Sequence, residues 1–238
     1  MGRWAGSVLL LASALPGAAA TADLFFPAVP QGSSIVELSQ DSPVLRQRAA
    51  TIDLAGLDSA APRRGGSLRL NLFDDASLDA AFDSGVSRAA DRFTWFGHLL
   101  IEPESTVVLT REGEVVVAEI QSATQGHFRV RHRSDGTSVI QEIDPDRIPP
   151  DALALHSELP TLPVSQDFPS PPDEGAQIDV MVVYTPAARE DEGGETSILA
   201  EIQQAVDVTN DAYENSGVTQ RLRLVHTEEV EYTESDDM

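Results

Sequence analysis

TVVLTREGEVVVAEI, residues 106–120, sets two β-branched runs on either side of Arg111–Glu114, with Gly113 available for a positive φ at the turn. This is a β-hairpin in outline, and its neighbours repeat the theme. Upstream, SLRLNLF (67–73) alternates cleanly, placing Leu68, Leu70 and Leu72 on one face and Arg69 and Asn71 on the other. RFTWFGHLLI (92–101) reads as a further strand. Downstream, HFRVRHRSDGTSVIQEI (127–143) sets Phe128 and Val130 against Arg129, Arg131 and Arg133, with Asp135-Gly136 at a turn. Together these predict an antiparallel, mostly-β domain over residues 66–148.

The flanks read differently. Residues 1–22 resemble an export signal: Arg3 supplies the positive flank, Val8 to Leu15 the apolar run, and Ala18 to Ala22 small residues with A-x-A spacing. Export to the periplasm or medium is therefore expected, with no stable membrane span after cleavage, because the apolar run is well short of the roughly 20 residues that cross a bilayer. Residues 23–65 carry Pro27, Pro30, Pro43 and Pro62 among brief apolar clusters and read as a poorly ordered lead-in. FDDASLDAAFD (73–83) gathers Asp74, Asp75, Asp79 and Asp83, yet lacks the glycine of a calcium loop and reads as a solvated acidic connection. Eight of the 15 prolines fall between Pro145 and Gln177, so residues 149–177 form an extended linker.

After the linker, IDVMVVYTPAAR (178–189) begins a new unit. Its strand is apolar on both faces apart from Asp179, the pattern of an interior strand ended by Pro186. Gly193 and Gly194 break the chain before a helix with Thr196 as N-cap, an apolar face of Ile198, Ile202, Ala205, Val206, Thr209, Ala212 and Tyr213, and Gly217 as its stop. QRLRLV follows as a strand, giving a parallel βαβ unit over residues 178–238. The acidic end EEVEYTESDD (228–237), with Val230 and Tyr232 alternating, reads as an exposed continuation of that strand. The expected fold class is α+β overall: an antiparallel β domain, a proline-rich linker and an incomplete α/β unit.

Composition narrows the function. The formal charge is −23 and all sixteen basic residues are arginine, so a nucleic-acid partner is not expected. There is no cysteine, hence neither a disulfide framework nor a thiol nucleophile, and no G-x-S-x-G or phosphate-cradling loop appears.

IDVMVVYTPAAR, the following GG and ILAEIQQAVDVTNDAYENSGVTQRLRLV resemble the start of the catalytic domain of secreted bacterial zinc metalloendopeptidases of the metzincin type, the reprolysin-like and peptidyl-Asp enzymes. TWFGHLLIEPESTVVLTREGEVVVAEI and HFRVRHRSDGTSVIQEID are similar to the β-rich propeptide such enzymes carry. The likeness runs from about Ser67 onward and is most specific over Ile178 to Val225. It implies a zymogen in which the propeptide packs on the catalytic domain, a protein or peptide substrate, and hydrolysis by zinc-activated water.

The family's chemistry needs H-E-x-x-H-x-x-G-x-x-H, three imidazoles for zinc and a glutamate as general base. That motif is absent. The five histidines, His98, His127, His132, His156 and His226, have no such spacing, and His127 and His132 fall on opposite faces of one strand. No catalytic, cofactor-binding or metal-binding residue is therefore assigned; zinc belongs to the complete family protein and not to this chain, which is expected to be inactive alone. Without a propeptide cysteine, Asp151, His156, Glu158 or Asp167 of the linker are the candidates on reach for a zinc-directed latency ligand, against simple steric blocking. Two accounts remain: a precursor truncated before its zinc helix, or a secreted, non-catalytic β-domain module that binds or inhibits another protein.

Overall fold

The computed structural model describes residues 23–27, 42–60, 66–148 and 177–232. Residues 1–22 of the signal reading, residues 149–176 of the linker reading and the four latency candidates, His156 among them, lie outside these residues, while Gln177, read as the end of the linker, opens a strand.

The hairpin of residues 106–120 is the middle of a nine-stranded antiparallel sheet. Strands β3 (Ser67–Phe73), β4 (Ala76–Ala89), β5 (Arg92–Leu99), β6 (Glu102–Glu112), β7 (Val115–Ser122), β8 (Gly126–His132) and β9 (Ser138–Ile143) form a meander in which each pairs with the next. Gly113 and Gly136 take φ of 62° and 82° at their turns, as their positions in the sequence require. Phe128 and Val130 point into the core while Arg129 faces outward, as the alternation predicts.

Two expectations are corrected. The acidic stretch 73–83 is not a loop: only Asp74 and Asp75 make the turn, and β4 begins at Ala76. Ala76, Leu78 and Ala80 alternate inward and are buried, a strand signal muted by the small size of alanine. The lead-in 23–65 is not without structure either. It supplies β1 (Phe25–Pro27), β2 (Val44–Ile52) and α1 (Leu54–Ala60), and β2 pairs with β9 and with β1. Prolines did not forbid this, because Pro27 and Pro43 stand at the end of one strand and just before the other.

The sheet nearly closes on itself. Leu24 N–H donates to Arg69 O at 3.0 Å, and Asp23 forms a parallel bridge with Arg69. The Asn71 side chain completes the junction, its Oδ1 accepting from Phe25 N–H at 2.9 Å while its amide donates back to Phe25 O. One amide side chain thus stands in for a strand's ladder and links β1 to β3. The interior holds Leu70, Leu72, Trp95, Leu109, Ile120, Phe128 and Ile140, all 1% exposed or less, joined by Leu57 of α1. Trp95 lies across Gly97, where a Cβ would sit 2.3 Å from its ring and 2.1 Å from Ala81 O.

Residues 177–232 form a separate two-stranded parallel sheet of β10 (Gln177–Tyr184) and β11 (Arg221–Glu229), as expected of a βαβ unit. Between them lie α2 (Pro186–Asp191) and α3 (Glu195–Asn215). Here too the reading is corrected. β10 does end before Pro186, but Pro186 also starts a helix, with Thr185 as its cap accepting from Ala188 N–H at 3.0 Å, because proline suits the first helical position. Gly194, not Thr196, precedes α3 as its N-cap. The burial expected of an interior strand is not seen on β10: among the described residues it has one neighbouring strand, and Ile178, Met181 and Val183 are 43%, 61% and 48% exposed.

Candidate functional site

The two-sided burial expected of β10 occurs instead on β6 and β7. Val107, Leu109, Val116 and Ala118 face the interior, yet the alternate residues Val108, Thr110, Val115 and Val117 are also buried, none more than 6% exposed. A strand apolar on both faces needs a second cover. Helix α3 supplies it, packing across the outside of β6 and β7 with Ala200 fully buried on Val115 and Val117.

The helix face that makes this contact differs from the expected one. Of the anticipated apolar stripe only Ile198 and Val206 are buried; Ser197, Ala200, Gln204 and Asp207 complete the face. Three of these are polar, and two reach the sheet directly. The Gln204 amide donates to Val108 O at 3.4 Å. Asp207 Oδ2 accepts from Arg88 at 2.6 Å and from Thr94 Oγ1 at 2.5 Å, while Gln203 holds its other oxygen at 3.0 Å. Thr94 and Thr110 are cross-strand partners with hydroxyls 3.0 Å apart. Arg88 also touches Glu112 at 3.4 Å. A buried carboxylate is thereby fully engaged, as burial of a charge demands.

A second cluster lies at the N-terminal end of α3. Arg131 of β8 donates to Asp191 O at 3.0 Å and pairs with Glu192 at 2.7 Å. Gly193 sits so tightly on the same strand that a Cβ would lie 2.4 Å from His132 O, and its φ is 85°. On β7, Glu119 binds Arg129 and, at 2.7 Å, His127. Burial works against the Glu119 charge, yet His127 and Arg129 hold its carboxyl below the ordinary range. Glu201 of α3 lies in reach of these charges. Burial, with Glu192 adding repulsion, pushes it up to about 7.

α3 is also clipped to β11. The Asn210 amide donates to Leu222 O at 2.9 Å and its Oδ1 accepts from Leu222 N–H at 2.7 Å. This asparagine lies within TNDAYENSGV, inside the stretch Ile178 to Val225 where the family likeness is most specific.

The residues singled out in the sequence do not assemble. His98 binds Asp83 at 2.8 Å, His127 binds Glu119, and His226 lies 3.4 Å from Glu228. His132 stands on the inward parity of β8, opposite His127, with a buried Nδ1 lacking a partner. Asp75 is paired with Arg46 at 2.7 Å, and Asp79 lies 4.0 Å from Arg69. Among the described residues no three His, Cys, Asp or Glu gather to hold a metal. The described residues therefore do not fit a zinc ion, and no hydrolytic step is assigned to them. A cleft of about 760 Å³ beside the β1–β3 junction, lined by Asp23, Phe25, Arg48, Arg69, Asn71 and Asp74, spends its cations on Leu72 O, Asn71 O and Asp23. No helix among the described residues is long and apolar enough to cross a membrane.

Arg88, Thr94, Gln204 and Asp207 escaped the sequence reading. Their one trace was polar residues placed where periodicity asked for apolar ones, Thr94 inside RFTWF and Gln204 and Asp207 along the helix.

No family model matches the chain. Among solved structures, one titled "Structure of a chaperone-substrate complex" aligns with 47% of this chain and 90% of its own at 13% identity and a TM-score of 0.35, too distant to define the fold. Curated proteins give more. A protein of Stenotrophomonas maltophilia strain R551-3 named peptidyl-Asp metalloendopeptidase is 28% identical across 87% of this chain and 49% of its own length. One of the same name from Xanthomonas campestris is 31% identical over 57% of this chain and 33% of its own, and one from Pseudomonas aeruginosa is 44% identical over 24% and 9%. The chain spans about half the length of the Stenotrophomonas relative, 49%. By this likeness it is related, at low identity, to bacterial metalloendopeptidases.

Proposed function

We propose that this chain is the N-terminal part of an exported metalloendopeptidase precursor, comprising a β-rich propeptide, a connection across residues 149–177 and the opening of the peptidase domain from Ile178. The observation that carries the reading is the alignment along 87% of the chain with a peptidyl-Asp metalloendopeptidase of about twice the length. The proposed propeptide takes in β1 and β2 as well as residues 66–148, because they belong to one sheet. Its work is mechanical: β6 and β7 offer an outer face that, among the described residues, α3 covers, so the propeptide holds this long helix of the peptidase unit in place while the rest of that domain folds around it.

Zinc, a peptide substrate and hydrolysis belong in this proposal to the complete protein, and the chain as given is inactive. The competing reading, a free-standing β module that binds another protein, is weaker because the apolar outer face of β6 and β7 is already occupied by the chain's own helix.

Two measurements test the reading. Metal analysis and a peptide-cleavage assay on the purified chain should give neither stoichiometric zinc nor turnover; both together would overturn it. Genomic DNA read past the codon for Met238 should continue in frame to a zinc-binding helix, and a stop with no such helix would favour the β module.

A further inference from the structure

The junction between α3 and the sheet carries a charge imbalance. Three carboxylates, Glu119 of β7, Glu192 before α3 and Glu201 on it, meet two arginines, Arg129 and Arg131 of β8, with His127 as the remaining cationic candidate. Both arginines are committed. Arg129 is bound to Glu119, and Arg131 to Glu192 and to Asp191 O. His127 is on Glu119 as well. Among the described residues Glu201 has no hydrogen-bond or ion-pair partner, although it is half-buried between the helix and the strands. The charges that act on it are Glu192 from its own chain segment and Glu119 from β7, which repel it, and Arg129 and Arg131 from β8, which attract it. An unpaired carboxylate so placed is tolerated best when it carries a proton.

We propose that this junction is a proton-sensitive latch, which holds α3 on the sheet while Glu201 is protonated and loosens when Glu201 ionises against Glu119 and Glu192. The latch is a property of the interface and its charges, and it deepens the proposed function by giving the propeptide a condition for release. The sign follows from linkage. Glu201 is raised from 4.5 to about 7 when docked, so the docked state binds more protons than the undocked one between those values. Docking is strongest below about pH 4.5, weakens as pH rises, and has lost this contribution above about pH 7.

The test uses the full chain with a recognition sequence for a site-specific protease placed within residues 149–176, cut after folding. Association of the two pieces is then followed by sedimentation at about pH 5.5 and about pH 8, conditions that bracket the titration. The pieces should stay together at the lower pH and dissociate at least about tenfold more readily at the higher. Glu201→Gln, which keeps the shape and cannot ionise, should hold at both. Glu192→Gln, which removes one repelling charge together with its pair to Arg131, should bring Glu201 closer to its ordinary value and so shrink the difference in dissociation between the two pH values; equal binding of the parent at both pH values, or an unchanged pH response in Glu201→Gln, would overturn the latch. None of these readouts involves peptidase activity, so the latch can fail while the precursor reading stands, and the reverse.

Discussion

Arg88 on β4 and Asp207 on α3 meet at 2.6 Å across 119 residues of sequence, with Asp207 only 6% exposed. The pair ties the peripheral βαβ unit to the nine-stranded sheet, and Thr94 shares the same carboxylate oxygen. Removing Arg88 would leave a buried carboxylate with only hydroxyl and amide partners. Arg88→Ala should therefore lower stability by about 2 kcal/mol, less than for a fully buried pair because Arg88 keeps some contact with water. Urea unfolding followed through the helical signal would check it. A loss no larger than that of an exposed ion pair would mean that Val115, Val117 and Ala200 hold the helix by themselves.

The glycine pair before α3 should respond unequally. Gly193→Ala places a Cβ 2.4 Å from His132 O in a backbone with φ of 85° and should cost about 2 kcal/mol or more. Gly194→Ala has nothing within 4 Å and bears only the strain of its φ of 125°. Thermal melts of the two variants should separate them, and equal losses would show that crowding against β8 is unimportant.

His132 supplies a pH response of opposite sign to that of Glu201. Burial lowers its pKa below 6.5, with Asp135 and Glu114 partly opposing. The unfolded chain therefore takes up the proton first, so the contribution is full above about pH 6.5 and is lost as pH falls below it. His132→Asn removes the titration. Its stability relative to the parent should improve as the medium is acidified from neutrality, measured by denaturant unfolding at several pH values; a constant difference would show that His132 does not titrate in the fold.

Much of the sheet was legible because its signals are local. Leu68, Leu70 and Leu72 alternate, and Gly113 and Gly136 mark turns that need a positive φ. β2 was missed because its partners are distant: only Ala50 of its nine residues is buried, and Arg46 and Arg48 become intelligible once Glu142, Asp75 and Leu72 O lie beside them. β4 was missed because aspartate and alanine mask a period of two.

The sequence by itself determined the strands with alternating side chains, the parallel pairing implied by strand, helix and strand, and the absence of a zinc-binding motif. Each depends on residues close together in the chain. Only the tertiary structure decided where the apolar surplus goes. VVV in β7 and VMVV in β10 look alike as strings, yet α3 covers the first on its outer face while the second leaves Met181 and Val183 exposed. Burial depends on which surfaces meet, and that meeting is set by Asp207, Gln204 and Gly193 finding partners far away in sequence, a relation that no local pattern encodes.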